Sequence, residues 1–360
     1  MKTLKILIFV LIGLAFNASV SAGISEATQL EFGHVFAGGI ALAAILSFMP
    51  MPAGILTMAI QKEIWIGDLV TNLFKANPHL NYAMNADQFV LAGKVVHIPN
   101  AGAKPAVKRN RTNLPASVTI REDVDITFEL DEYTTDPILI PNAEQYELSY
   151  DKRSSVTSEQ SNALNELAGD WFFYYWAPSA ATSFVRTTGD NVVAHIGTGN
   201  RKKVTYADVK ACQLKLDKQG IAQNDRVAQL DADMYHQFTD SLTATQYRDF
   251  SVSFNPATGV VGMLCGFTFI APRGTVLMYT NDATPLVKDP EVTAASTYNA
   301  AGLFWQKDCV IRALGTQEMF ENEKDATYYG SIYSALLRLG GRKKRNDGKG
   351  VIALIQAAGA

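Results

Sequence analysis

The chain has 360 residues, 48% hydrophobic and 19% charged, enough to bury a core of one large or two modest domains and too apolar for global disorder. Lys and Arg number 32 against 35 Asp and Glu, for a net charge of -3, which argues against a surface built to neutralise phosphates. The 3 cysteines, Cys212, Cys265 and Cys309, are widely spaced and form no Cys-x-x-Cys pair. That spacing indicates neither a disulfide framework nor a zinc site and fits a reducing compartment.

The N-terminus points the other way. Lys2 and Lys5 precede an apolar run over residues 6–16, and Val20-Ser21-Ala22 offers the small residues that a signal peptidase reads. A second apolar stretch over residues 35–60 is long enough to span a bilayer but is broken by Gly38, Gly39, Pro50, Pro52 and Gly54. Residues 1–57 are therefore either a secretory or membrane-tethering leader or an extension ahead of a chain whose own start is Met58.

From Gln61 the patterning becomes amphipathic. Ile64, Ile66, Leu69, Val70 and Leu73 recur at helical spacing until Asn77-Pro78 stops them. Residues 90–99 read as a strand, and residues 100–115 as an exposed loop carrying Lys104, Lys108, Arg109 and Arg111. Val124, Ile126, Phe128 and Leu130 then alternate with acidic and polar residues, giving a strand with one buried face, so that the two strands form a ribbon with the basic loop at its tip. Val156, Gln160, Ala163, Leu164, Leu167, Trp171 and Tyr174 predict a long amphipathic helix over residues 154–176, ended before Pro178.

Residues 178–203, rich in Thr, Ser, Gly and Asn, read as a loop. Thr205 and Asp208 have capping-box spacing for a helix that closes at Gly220. A short buried strand follows at residues 226–230, a helical turn around Met234 and Phe238, and core strands within residues 259–280. Tyr329, Ile332, Leu336 and Leu339 suit a helix stopped by Gly340-Gly341, and residues 351–355 a last strand. The sum is a mixed α+β chain with neither repeat nor βαβ rhythm.

Catalytic motifs fail on spacing. The basic, Gly-containing run over residues 340–350 lacks the separation of a Walker loop and its following Ser or Thr, and reads as a basic turn between helix and strand, able at most to touch phosphates transiently. His34, His79, His97, His195 and His236 never fall at metal-ligand spacing. The acidic run over residues 122–136 alternates with apolar residues, as a solvated strand face does. There is no Gly-x-Ser-x-Gly elbow, and Gly197-Thr198-Gly199 lacks the third glycine of a dinucleotide fingerprint. Cys212, in a helix, and Cys265, in an apolar run, read as small buried hydrophobes, and the aromatic run from Trp171 to Trp176 as a packed helix end. No catalytic residue, cofactor or metal is predicted.

Taken in order, these residues resemble the major capsid proteins of tailed phages with the Hong Kong 97 fold. Gln61-Lys62-Glu63-Ile64-Trp65 is similar to the opening of such proteins. Leu91-Ala92-Gly93-Lys94-Val95-Val96-His97-Ile98-Pro99 with the basic tip and the strand after it resembles their extended loop, residues 154–176 their spine helix, and residues 226–235 the entry to their axial domain. Gly266-Phe267-Thr268-Phe269-Ile270 is similar to a later core strand there, and residues 328–351 to the C-terminal return. The likeness runs over residues 58–356; the hydrophobic leader departs from it.

The resemblance implies an N-terminal arm at 58–85, an extended loop at 86–132, a peripheral domain at 133–225, an axial domain at 226–310 and a return to the peripheral domain at 311–360. It also implies a non-enzymatic shell subunit of the virion, assembled in the host cytoplasm as hexamers and pentamers. Its partners would be a scaffold, a portal and DNA held by weak non-specific contact, with no small-molecule substrate. Lys104, Lys108, Arg109 and Arg111 are then expected in intersubunit salt bridges, and Trp171 and Tyr174 in buried helix packing. The rival reading, a secreted or membrane-tethered bacterial surface protein, rests on the leader and the sequon Asn110-Arg111-Thr112.

Overall fold

The computed structural model describes residues 69, 71–91, 94–100, 107, 109–110, 124–141, 152–345 and 347–359, all in a unit spanning Ile64–Ala360. The leader, the Met58 start, and Lys104, Lys108 and Arg111 lie outside the described residues.

The core is built on an 8-stranded sheet whose central strand, Tyr298–Gln306, is buried along almost its whole length. Val351–Ile355 pairs antiparallel along one edge of it, while Arg226–Gln229 and Leu277–Thr280 share the other. Successive side chains of a strand point to opposite faces, so burial at every position requires cover on both sides. Four helices provide it: α1 (Lys152–Trp176), α2 (Tyr206–Lys218), α3 (Ala232–Asp240) and α4 (Ala244–Ser251). Leu303, Trp305, Val351, Ala353 and Ile355 pack with Phe172, Phe173 and Trp176 of α1. On the opposite face Phe304, Ile352 and Leu354 meet Cys212 and Leu216 of α2, Met234 and Phe238 of α3, and Phe250 of α4.

A second sheet is organised by a long hairpin, Val310–Asp325 with Gly330–Lys343. Met84–Asn85 joins the first of these strands in parallel, and Asp131–Thr134 and Ile138–Pro141 pair with the second. The ribbon is a separate three-stranded piece in which Val95–Asn100 lies between Val90–Leu91 and Val124–Glu129. Ile126 and Leu130 are buried while Asp125, Thr127 and Glu129 are exposed, as the alternation predicts.

The start of α2 follows its sequence signal, with the Thr205–Asp208 capping box formed and Gly220 just past the helix end at φ +69. Five expectations are corrected. The helix expected around Tyr329, Ile332, Leu336 and Leu339 is the strand Gly330–Lys343, where Tyr333, Ala335, Leu337 and Leu339 are buried at period two. Apolar residues at 336, 337 and 339 satisfy either period, and pairing with the distant strand Val310–Asp325 decides between them. The basic turn after it therefore joins two strands. Residues 90–99 are not one strand, because Val90–Leu91 folds back on Val95–Asn100.

The loop expected at 178–203 contributes Phe184–Arg186, which pairs in parallel with Val351–Ile355, and the hairpin Asn191–Val193 with Asn200–Lys202. Cys265, expected as a small buried hydrophobe in an apolar run, is only half-buried. With Gly266 it makes the two-residue turn between Val260–Leu264 and Phe267–Ile270, at φ +52 and +72, a turn in which both central residues are left-handed.

Candidate functional site

Asp231 caps α3 by accepting from the Met234 backbone N–H at 2.7 Å, and its other carboxylate oxygen lies 2.8 Å from His195 Nε2. Burial lowers the affinity of His195 for a proton, but the Asp231 hydrogen bond and the charges of Asp231 and Asp233 outweigh it and raise its pKa. His195 Nδ1 has no hydrogen-bond partner among the described residues, so this His–Asp pair lacks the nucleophile of a triad. Sequence spacing could not reveal it, because the pair is 36 residues apart and neither residue sits in a motif. Among the described residues no group of three or more His, Cys, Asp and Glu could hold a metal ion, and no helix is long and apolar enough to cross a membrane.

The basic turn is internally engaged. Lys343 Nζ donates to the Ala177 carbonyl beyond the C-terminus of α1 at 2.7 Å, and Arg342 donates to the Thr127 carbonyl at 2.8 Å. Arg345 forms a two-pronged bond with Asp347 at 3.0 and 2.8 Å, and Lys349 lies 3.5 Å from the same carboxylate. The Arg345 hydrogen bonds, with the Lys349 backbone N–H and the charges of both cations, hold the Asp347 pKa down at about 2. These cations close a turn and leave it no phosphate-loop geometry.

The surface with the most distinctive chemistry lies beside the C-terminal half of α1. Trp171 and Tyr174 are half-buried there, whereas Phe172, Phe173 and Trp176 are the members of the run that enter the core. The Trp171 indole N–H donates to Glu291 at 3.0 Å, and its ring stands against those of Tyr174 and Tyr175. Tyr175 donates to Asp131, and the Tyr133 and Tyr175 hydroxyls lie 2.7 Å apart. Burial first, then the Asp131 hydrogen bond, pushes the Tyr175 hydroxyl far above the ordinary tyrosine range, so it remains a proton donor. An open cleft of about 570 Å³ is walled by Asp131, Glu132, Tyr133, Leu167, Trp171 and Glu291. An apolar groove of about 360 Å³ continues from it past Ile138, Ala163 and Leu164. Of the four predicted cations only Arg109 is described, and it is exposed, with Asn110 beside it at φ +48.

Large apolar side chains remain in water elsewhere. Phe320, Tyr328 and Tyr329 lie exposed along the outer part of the long hairpin, and Tyr247, Val252 and Phe254 in and after α4. Scattered exposed apolar residues are ordinary on a protein surface.

No protein-family model and no curated protein matches the sequence. Solved structures do match the fold. The chain is similar to the capsid of cyanophage P-SCSP1u at a TM-score of 0.54 and 17% identity, covering 78% of this chain and 87% of that one. It is similar to the capsid of Ralstonia phage GP4 at 0.55 and 14%, covering 78% and 88%, and to the capsid of a native GTA particle at 0.52 and 13%, covering 78% and 90%. The mixed α+β architecture of this chain is thus the fold of these capsid proteins.

Proposed function

We propose that the chain is the major capsid protein of a tailed bacteriophage, a shell subunit of the virion that self-assembles around double-stranded DNA. The observation that carries this reading is the capsid fold itself, matched over about nine-tenths of the length of each related capsid chain. Its role is structural and not catalytic. Residues 58–85 act as an N-terminal arm, 86–132 as the extended loop, 133–225 as the peripheral domain with its spine helix, 226–310 as the axial domain and 311–360 as the return to the peripheral domain.

Subunits associate as hexamers and pentamers, with a scaffold and a portal as further partners, and assemble in the host cytoplasm. Contact with packaged DNA is weak and non-specific, which suits the net charge of -3. Lys104, Lys108, Arg109 and Arg111 make intersubunit salt bridges, and Trp171 and Tyr174 pack at the same kind of contact. Geometry supports a second copy as the partner of the basic tip. The strands Val95–Asn100 and Val124–Glu129 that flank it run antiparallel as the two arms of a ribbon, the form of an element that reaches a neighbouring subunit. The acidic, aromatic cleft beside α1 offers complementary charge to cations from a neighbour.

Electron microscopy of the purified chain, full length and begun at Met58, tests the reading. Closed shells or hexameric and pentameric rings are expected; a stable monomer at high concentration, in the form begun at Met58 as in the full chain, overturns it.

A further inference from the structure

We propose that His79 is an acid-sensitive latch that fastens the segment leading into the ribbon to helix α1. The segment around it is held tightly. Asn77 donates to the Asn165 carbonyl of α1 at 2.7 Å and accepts from Arg273 at 2.6 Å, and Arg273 reaches on to Asp170 of α1 at 2.6 Å. Gly169 faces Asn77 so closely that any Cβ there would overlap its amide. Arg312 donates to the Leu80 carbonyl at 2.9 Å, Trp305 donates to that of Tyr82 at 2.8 Å, and Met84–Asn85 then enters the second sheet.

Within this clasp His79 is fully buried. Its ring lies 4.1 Å from that of Phe173, tilted by 30°, and Trp176 stands edge-on at 6.0 Å. Among the described residues neither ring nitrogen makes a hydrogen bond of ordinary geometry; the Gly169 backbone is the one polar group that favours the protonated ring, and burial and Arg273 outweigh it. A neutral imidazole fits there as a flat aromatic body; an imidazolium would be a charge in an apolar wall with no anion in contact.

The charged group that acts on it is Arg273, whose fixed charge opposes a second cation and which in turn holds Asp170 of α1. Asp170 is already engaged by Arg273, and burial raises its pKa, so protonating it favours the folded state and cannot be the acid trigger. Burial first, then Arg273, holds His79 neutral well below its usual range.

The sign follows from linkage. A freed His79 takes up a proton below its ordinary value of 6.5, whereas the docked one does not. The latch is therefore fully closed above 6.5, and the ratio of released to docked segment rises about tenfold for each pH unit below it, until the depressed native value is reached. Release would detach the ribbon from one of its anchors to the body; Asp131–Thr134 on the long hairpin, the Arg342–Thr127 bond and packing on Ile311 and Ala313 would remain. This device belongs to the single chain and goes beyond the capsid reading without depending on it.

Backbone hydrogen exchange of the full chain between pH 7.5 and 4.5, corrected for intrinsic rates and read by mass spectrometry, tests it. Peptides covering residues 73–91 should lose protection about tenfold per pH unit below 6.5 relative to residues 351–355, and His79→Phe and His79→Gln should each abolish that slope. The same slope in both variants overturns the proposal. Should neither variant fold, exchange of the imidazole C–H in the unmodified chain decides: a native His79 midpoint well below 6.5 is expected, and an ordinary one overturns the latch.

Discussion

At the scale of single residues, a buried and a half-buried histidine are set against each other by their surroundings. His79 is enclosed by rings with a guanidinium nearby and no carboxylate partner, so the fold rejects its proton; His195 has Asp231, so the fold accepts one. A group whose native pKa is raised stabilises fully below its unfolded value of 6.5 and loses that contribution as pH rises through the native value. Replacing His195→Gln should therefore lower the denaturant midpoint most at pH 6 and less at pH 9, flattening the alkaline decline. An unchanged difference across that range in equilibrium unfolding would show that the Asp231 pair does not carry charge. Nothing in the sequence flagged either histidine, because burial and a partner 36 residues away are properties of the fold.

At the scale of elements, local sequence signals fix the structure wherever neighbouring residues settle the outcome. The cap at Thr205, the break after Trp176 and the alternation from Val124 to Leu130 each have a cause within a few residues. The strand Gly330–Lys343 is the counterexample, since its apolar residues fit both a helix and a strand. The structure distinguishes them by which leucine is buried. Leu337→Ala should cost about 2–5 kcal/mol because Leu337 is 1% exposed in the core, whereas Leu336→Ala on the half-buried face should cost clearly less. Equal losses in urea unfolding would contradict the period-two register. Trp171 and Tyr174 show the same limit: helical spacing placed them on the packed face, but the rings that fill the core are Phe172, Phe173 and Trp176.

At the scale of the whole molecule, the proposed assembly makes an electrostatic prediction. In that proposed assembly the cations of residues 100–115 attract carboxylates beside α1 of a neighbour, and salt would screen the attraction over about 10 Å at 0.1 M. The pair of changes Lys108→Glu and Arg109→Glu should slow shell formation about tenfold or more in light scattering at low salt. Adding Glu291→Lys, a cleft carboxylate that takes only the Trp171 N–H from its own chain among the described residues, should restore part of that rate, and failure of the charge exchange would place the partner of the tip elsewhere. The sequence by itself determined the order of ribbon, long helix and capped helix, together with the α+β class, since periodicity, capping and proline breaks act over a few residues. Only the tertiary structure decided that residues 330–343 are a strand, that 184–186 joins the core sheet, and that His79 and the acidic cleft exist at all. Strand pairing and burial are settled by residues far away in the chain, and a local pattern compatible with two periods leaves that choice open.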